Sequence, residues 1–429
     1  MRNRRAKLGC VDGKIQMTDN TEKKQRVLLV AVCDGDMQQT SASLDELASL
    51  ADTAGAECVG RVVQNRDNPD PGTYVGSGKI LEIREMLDAL DADSVICDDE
   101  LTPAQMNNLE EELDCAVADR TLLILDIFAA RAQTSEGKIQ VELAQLKYRQ
   151  AHLTGMRRYL SRLGGGIGTR GPGEKKLEID RRLIEERIGV LNRERREVVK
   201  HRDLIREGRK KGGVKEAAIV GYTNAGKSTL LNAMTNADVL EEDKLFATLD
   251  PTTRQLELPG GNKILLTDTV GFIRKLPHTL IDAFRSTLEE ATFADYIIHV
   301  VDASSPEMDT QMQVVYDTLH ELKADDKPIV TVFNKTDRNI TGAHLHDHRA
   351  DYVLQISALK GRGLDDLVTV LDRLIMEEQT YIERVIPYKD AGVLAMIRTK
   401  GRLISEEYRE DGIAVTAYVP QEIYGRISS

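Results

Sequence analysis

Gly221-Tyr222-Thr223-Asn224-Ala225-Gly226-Lys227-Ser228 decides the fold. It follows directly on a strand-like run, Glu216–Val220, and Thr229–Met234 after it reads as a helix. G-x-x-x-x-G-K-S in a strand–loop–helix setting is a phosphate-binding loop. Its backbone N–H groups converge on an anion at a helix N-terminus, where the macrodipole also favours negative charge. Lys227 is placed to neutralise β- and γ-phosphate oxygens, and the Ser228 hydroxyl to ligate Mg2+.

Reading outward, a second strand, Ile264–Thr267, ends in Asp268-Thr269-Val270-Gly271. An acid at a strand end suits Mg2+ through water, and the Gly271 N–H can meet a γ-phosphate and sense its loss. About 107 residues after Lys227, the strand Ile329–Phe333 ends in Asn334-Lys335-Thr336-Asp337. The Asp337 carboxylate can accept from guanine N1 and N2, which adenine cannot offer, while the Lys335 stem packs along the ribose and base. Ser357-Ala358-Leu359, after the strand Tyr352–Ile356, suits a backbone contact to guanine O6. These four elements in this order, each at a strand end, make GTP rather than ATP the expected ligand.

A GTP-binding domain also needs a threonine that closes over Mg2+ and the γ-phosphate. Phe246-Ala247-Thr248-Leu249-Asp250-Pro251-Thr252-Thr253-Arg254 offers Thr248, Thr252 and Thr253, and the residues alone do not choose among them. Phe272 stands where many such domains carry a glutamine that orients the attacking water. An apolar side chain cannot do that, no other side-chain base stands out, and hydrolysis is expected to be slow without a partner. Asn224 can help hold a monovalent cation, which makes K+ a candidate second cofactor beside Mg2+; otherwise it caps the loop.

Before this domain the pattern changes twice. Val27–Val32, Glu57–Val63, Ser94–Cys97 and Cys115–Ala118 are short and apolar, with Ser43–Thr53, Lys79–Leu90 and Pro103–Leu113 helical in spacing between them. Alternation of this kind predicts a small parallel sheet with right-handed crossovers. Ser43 and Glu46 have capping-box spacing for the first helix. From residue 138 apolar residues recur every seven: Ile139, Leu146, Leu153 and Leu160 with Leu143 between, then Leu177, Ile184, Leu191, Val198 and Ile205. Two heptad-patterned helices joined by the glycine-rich 164–173 predict an antiparallel hairpin whose seam closes on itself and whose tip is exposed. The expected organisation is an extension (1–25), a small α/β domain (26–135), the hairpin (136–212), a parallel-sheet G domain (213–377) and a small α+β domain (378–429).

Charge separates these parts. Residues 147–211 hold 20 Lys/Arg against 9 Asp/Glu, a net of +11 in a chain of net charge -12, so the remainder carries -23. The overall acidity argues against a general nucleic-acid binder. Concentration of cations on one hairpin, with Arg157, Arg158, Arg162, Arg170, Lys175 and Lys176 flanking the tip, instead favours a local polyanionic partner, structured RNA. No stretch reaches transmembrane length and the basic N-terminus lacks a signal-type apolar core, so a cytoplasmic protein is expected; a monomer is the separate expectation, which the sequence does not itself decide. Cys10, Cys33, Cys58, Cys97 and Cys115 form no C-x-x-C pair and are expected to be reduced thiols, the last four buried.

The chain resembles the HflX family of GTPases from about residue 26 to its end. Gly221–Ser228, Phe246–Arg254, Asp268–Phe272 and Asn334–Asp337 carry the likeness. So, more specifically, does Gly164–Glu174 with Leu177, Asp180 and Arg181-Arg182 after it. Lys175-Lys176 departs from the Thr-Gln type of pair common in the family and makes the tip more basic. The resemblance implies a ribosome-associated GTPase that binds the large subunit, inserts its glycine-rich tip near the peptidyl-transferase centre and helps to split stalled ribosomes. It also selects Thr248 as the Mg2+-ligating threonine. A second nucleotide activity, linked in the family to the N-terminal domain, would have to use Gly76-Ser77-Gly78-Lys79, which is too short for a phosphate loop and reads as a turn entering a helix. The other readings are a GTPase serving ribosome assembly or RNA modification, and a signalling switch whose hairpin binds protein.

Overall fold

The structure is a computed structural model and describes residues 24–163, 172–211, 213–235, 245–275, 285–338 and 345–428. Arg170 lies outside them, as does most of the glycine-rich linker, and no side chain is described over 153–177. The elements run β1 (Gln25–Cys33), α1 (Met37–Thr53), β2 (Ala56–Asn65), α2 (Ser77–Leu90), β3 (Ser94–Cys97), α3 (Pro103–Leu113), β4 (Ala116–Asp119) and α4 (Arg120–Arg131). The hairpin helices α5 (Ser135–Leu163) and α6 (Pro172–Lys211) follow. Next come β5 (Lys215–Gly221), α7 (Lys227–Thr235), β6 (Thr252–Glu257), β7 (Lys263–Asp268), α8 (Arg285–Phe293), β8 (Tyr296–Asp302), α9 (Met308–Glu321), β9 (Ile329–Asn334), β10 (Tyr352–Gln355) and α10 (Leu364–Glu377). The chain ends with β11 (Gln379–Ile386), α11 (Ala391–Lys400), β12 (Arg402–Arg409), β13 (Gly412–Pro420) and α12 (Gln421–Ser428).

The first four strands form a wholly parallel sheet in the order β2-β1-β3-β4. Helix α1 begins seven residues earlier than its capping-box spacing implied. Asp36 is the N-cap and its carboxylate accepts from Gln39 N at 2.9 Å. Ser43 and Glu46 therefore lie inside the helix, and tertiary contacts claim both side chains. Gly76 is the N-cap of α2, so Gly76–Lys79 is a turn into a helix. Cys33 and Cys97 are buried, Cys58 and Cys115 half-buried, and all four are free thiols.

The G domain is a six-stranded sheet, β10-β9-β8-β5-β7-β6, parallel except for the antiparallel edge strand β6. Its strands are near-continuous apolar runs because both faces are covered. On one face Ile219, Val300 and Val332 pack under Leu367, Leu371 and Leu374 of α10. On the other, Ala218, Val220, Ile297 and Phe333 belong to a core that continues into the N-terminal unit through Leu44, Leu47, Ile124 and Phe128. The carboxyl ends of β5, β7, β8, β9 and β10 meet on one side, where ligands of open α/β sheets bind.

The hairpin seam is less self-contained than the heptads suggested. Leu143 and Leu191 are buried, and Ile139, Leu146, Ile184 and Val198 half-buried, but α5 also sends Val141 and Ala144 into the core shared with the N-terminal unit. Leu153, Leu160, Leu177 and Ile205 are outside the described side chains. Helix α6 starts at Pro172, so the last two residues of the glycine-rich stretch are helical; proline at the first helical position forfeits only an unpaired N–H. At the C-terminus, β11-β13-β12 form an antiparallel sheet whose Ile382, Val415 and Val419 pack on Leu394, Ile397 and Ile423 of α11 and α12. Val393–Thr399, an apolar stretch in sequence, is helical here.

Candidate functional site

The loop after β5 and the ends of β7, β9 and β10 close a cleft of about 340 Å³. Its walls include Thr223, Asn224, Gly226, Lys227, Ser228, Ala247, Thr248, Thr269, Gly271, Asn334, Lys335, Asp337 and Leu359. Residues from five separated stretches thus share one wall because parallel strands bring their carboxyl ends together. Phe246, Thr229 and Arg338 also line it.

At the phosphate end Lys227 is almost wholly buried, and its amine donates to the carbonyls of Gly221 and Tyr222 at 3.2 and 2.8 Å. Burial lowers its pKa to about 8 against the pull of the Asp268 carboxylate, so an incoming polyphosphate would meet a poorly solvated cation. Gly226 has φ +94° and packs so closely on the Asn334 amide that a Cβ would overlap it. Gly271 is equally constrained, since a Cβ there would lie 2.8 Å from Thr223 Cα and 3.0 Å from Lys227 Nζ.

The metal end is a chain of hard oxygens. Ser228 Oγ donates to Asp268 Oδ2 at 2.7 Å and lies 2.8 Å from Thr248 Oγ1. Asp268 is fully buried, its pKa raised by that burial, and among the described residues its Oδ1 has no hydrogen-bond partner. A buried carboxylate with an orphaned oxygen beside two hydroxyls fits Mg2+, which takes oxygen ligands and keeps several of its waters. Of the three threonines offered by the loop, Thr248 is the one at this position. Thr253 instead pairs with Thr267 across β6 and β7 at 2.9 Å.

At the base end Asn334 ties the parts together. Its Nδ2 donates to Ala225 O at 3.0 Å and its Oδ1 accepts from Ala358 N at 3.0 Å. Asp337 accepts from Ser357 Oγ at 2.5 Å, which holds its carboxyl below the usual range, and Thr336 Oγ1 donates to Ile356 O. Lys335 bonds Asn224 O at 2.7 Å and pairs with Asp302 at 2.8 Å. Asp302 was not picked out from sequence; its signal is an acid at the end of β8, the same cue that Asp268 gives.

Ten of the expected residues do not line the cleft: Gly221, Tyr222, Ala225, Leu249, Asp250, Asp268, Val270, Thr336, Ser357 and Ala358. Leu249 and Val270 are buried in the shared core, and Thr269, which does line it, bonds Ile219 O. Tyr222 turns away to Glu46 of α1, its hydroxyl also accepting from Arg274 N at 2.9 Å. Asp250 turns away too, toward the start of α5. Phe272 is 1% exposed; its backbone pairs with Gly221 and Thr223 while its ring joins the shared core, so the position serves packing. Of the hairpin cations, Arg157, Arg158, Arg162, Lys175 and Lys176 fall on α5 and α6 without described side chains.

A phosphate-loop sheet with a guanine-type base loop and a hydroxyl–carboxylate metal corner defines a P-loop GTPase, and this chain hydrolyses GTP. The family described as "50S ribosome-binding GTPase" matches residues 216–335, "GTP-binding GTPase N-terminal" residues 41–129 and "GTP-binding GTPase Middle Region" residues 131–209. A GTPase HflX of Lacrimispora saccharolytica is 59% identical over 413 residues, covering 96% of this chain and 98% of the relative. That of Caldanaerobacter subterraneus subsp. tengcongensis is 47% identical, covering 96% and 95%. Among solved structures, the SsGBP–GDP complex is 26% identical and covers 82% of this chain and 98% of that one, with a TM-score of 0.46. The chain belongs to the HflX family of GTPases.

Proposed function

We propose that this GTPase binds the large ribosomal subunit through its basic hairpin and couples GTP binding and hydrolysis to splitting or rescue of stalled ribosomes. The observation that carries the reading is the concentration of 20 Lys/Arg against 9 Asp/Glu over residues 147–211, on helices of 29 and 40 residues. At 1.5 Å per residue α6 extends about 60 Å, enough to carry a tip well away from the nucleotide. The family description quoted above supports the same partner.

In this reading the Gly221–Ser228 amides and Lys227 hold the β- and γ-phosphates, and Asp337 with the Ser357–Leu359 loop selects guanine. Ser228 and Thr248 would hold Mg2+ through their hydroxyls, with the Asp268 carboxylate beside them. A Mg2+ ion held there would supply positive charge to offset the negative charge on the phosphate oxygens. The Gly271 N–H meets the γ-phosphate. No side chain at 272 orients the attacking water, so the ribosome, or K+ held beside Asn224, completes the site.

The first test is GTP hydrolysis by the purified chain alone, with 70S ribosomes and with isolated large subunits. Strong activation by large subunits is expected. Activation only by tRNA or immature particles would replace the reading with the assembly or modification role. Equal rates in K+ and Na+ buffers, with and without subunits, would remove K+.

A further inference from the structure

The loop that carries Thr248 also holds the hairpin. Asp250 Oδ2 accepts from Gln133 N at 2.8 Å and Thr134 N at 2.9 Å, and its Oδ1 meets the Thr134 hydroxyl. Thr134 Oγ1 in turn accepts from Gly137 N at 3.0 Å, so Thr134 caps the first turn of α5 and Asp250 holds Thr134 and the residue before it in place. A carboxylate at a helix N-terminus is favoured by unpaired N–H groups and by the macrodipole. Gly137 makes room for it: a Cβ at that residue would fall on Asp250 Oδ1. The other hairpin helix is held at the same level. Arg202 of α6 pairs with Glu136 of α5 at 2.9 Å and with Glu289 of α8 at 3.3 Å. Arg206 pairs with Glu290 and stacks over Phe293, 4.2 Å from the ring centroid.

We infer that Asp250 is a positioning residue that couples the Thr248 loop to the hairpin, so that placement of Thr248 at the Mg2+ corner and capping of α5 occur together. Both contacts coexist in this one conformation: Thr248 Oγ1 sits beside Ser228 while Asp250 sits on α5. Two residues span at most about 7 Å, so Thr248 cannot move far without taking Asp250 with it. A γ-phosphate that fixes Thr248 therefore sets the cap, and its loss frees both. The hairpin root, gripped by this loop on one side and by α8 on the other, then changes its seating with the nucleotide. The inference deepens the reading of the hairpin as the partner-binding arm and rests on it for its biological purpose, but not for its physical test.

The test is amide hydrogen exchange of the full chain alone, with Mg2+ and either GDP or a non-hydrolysable GTP analogue. The amides of Gln133, Thr134 and Gly137 are expected to exchange fivefold to tenfold more slowly with the analogue, on the order of a lost helix cap. Asp250→Asn, Asp250→Ala and Gly137→Ala should erase that nucleotide dependence, with β5 and β9 amides reporting that each variant is folded. No difference between nucleotides in the parent chain would overturn the coupling. So would variants that speed exchange equally in both states and keep the difference, the behaviour of a cap that is only structural. With large subunits added, the same variants should bring the ratio of affinities in the two nucleotide states toward one. Failure of the parent chain to bind subunits at all would sink the partner reading and leave the exchange result standing.

Discussion

Asp337 and Asn334 divide the work at this end of the cleft: Asp337, proposed to accept from the base, is held by Ser357, and Asn334 ties the Ala225 and Ala358 loops together. Asp337→Asn replaces an acceptor pair with a donor that faces the guanine N1–H and N2–H. Guanine nucleotide affinity is expected to fall on the order of 100-fold, since hydrogen bonds to a charged group contribute about 1.5–3 kcal/mol each. Xanthine, whose C2 carries an acceptor, should gain, and titration of the variant with GDP and with xanthosine diphosphate checks both. His299 makes a second prediction. It is buried on β8 against Tyr316, 5.2 Å between ring centroids, and burial lowers its pKa from 6.5 to about 4 despite the Asp347 carboxylate nearby. The unfolded chain thus binds the proton first, so stability is lost as pH falls from 6.5 toward 4, by on the order of 3 kcal/mol for this group. Denaturation followed by circular dichroism should show that slope flattened in His299→Gln; an unchanged slope would discard the assignment.

At the scale of elements, the hairpin depends on both its surroundings and its charge. Helix α5 divides its apolar positions between α6 and the core shared with the N-terminal unit, and Arg187–Glu142 at 2.7 Å bridges the two hairpin helices at an exposed position. Pairs like that contribute little to stability, so the root contacts rather than surface ion pairs fix the hairpin. In the reading proposed above, the hairpin's cations meet phosphates. Removing Arg162 and Arg170 together should weaken large-subunit binding and flatten the salt dependence, by about one to two in the slope of log K against log salt. Binding that is unchanged at every salt concentration would dismiss a role for the tip in RNA contact.

The whole molecule is organised around a charged seam between the N-terminal sheet and the G domain. Arg120, 1% exposed, reaches Glu46 at 2.6 Å, Asp98 at 3.0 Å and the Arg274 carbonyl at 3.1 Å. Lys275 pairs with Asp98 and Asp99, both at 2.6 Å. Burial would raise the Asp98 pKa, but Arg120 and Lys275 outweigh it and hold the carboxyl below its ordinary value. The segment just after Gly271 is therefore fastened to the carboxyl ends of the N-terminal strands, next to a ring contact of Phe128 with Phe246, 4.7 Å between centroids. Arg120→Ala leaves Glu46 without its cation and Asp98 with Lys275 alone, and should cost about 3 kcal/mol. Thermal unfolding should resolve into two transitions as the N-terminal unit separates from the G domain; one transition at the parent temperature would refute the seam.

The local chemistry of nucleotide handling was legible in the sequence because it is contiguous. Gly221–Ser228, Asp268–Gly271 and Asn334–Asp337 each keep fixed spacing at a strand end, and strand periodicity placed those ends together. The +11 hairpin was legible for the same reason, since heptads and charge are sums over neighbours. What the chain does with Ser43, Glu46, Tyr222 and Asp250 was not. Ser43 and Glu46 have the spacing of a cap yet are taken by Asp98, Arg120 and Tyr222, up to 176 residues away. Tyr222 and Asp250 sit inside nucleotide motifs yet point to α1 and α5. A buried polar group must find a partner wherever the fold supplies one. That partner is set by how the sheets and the hairpin pack, so only the tertiary structure decided which residues line the cleft and which fasten the domains around it.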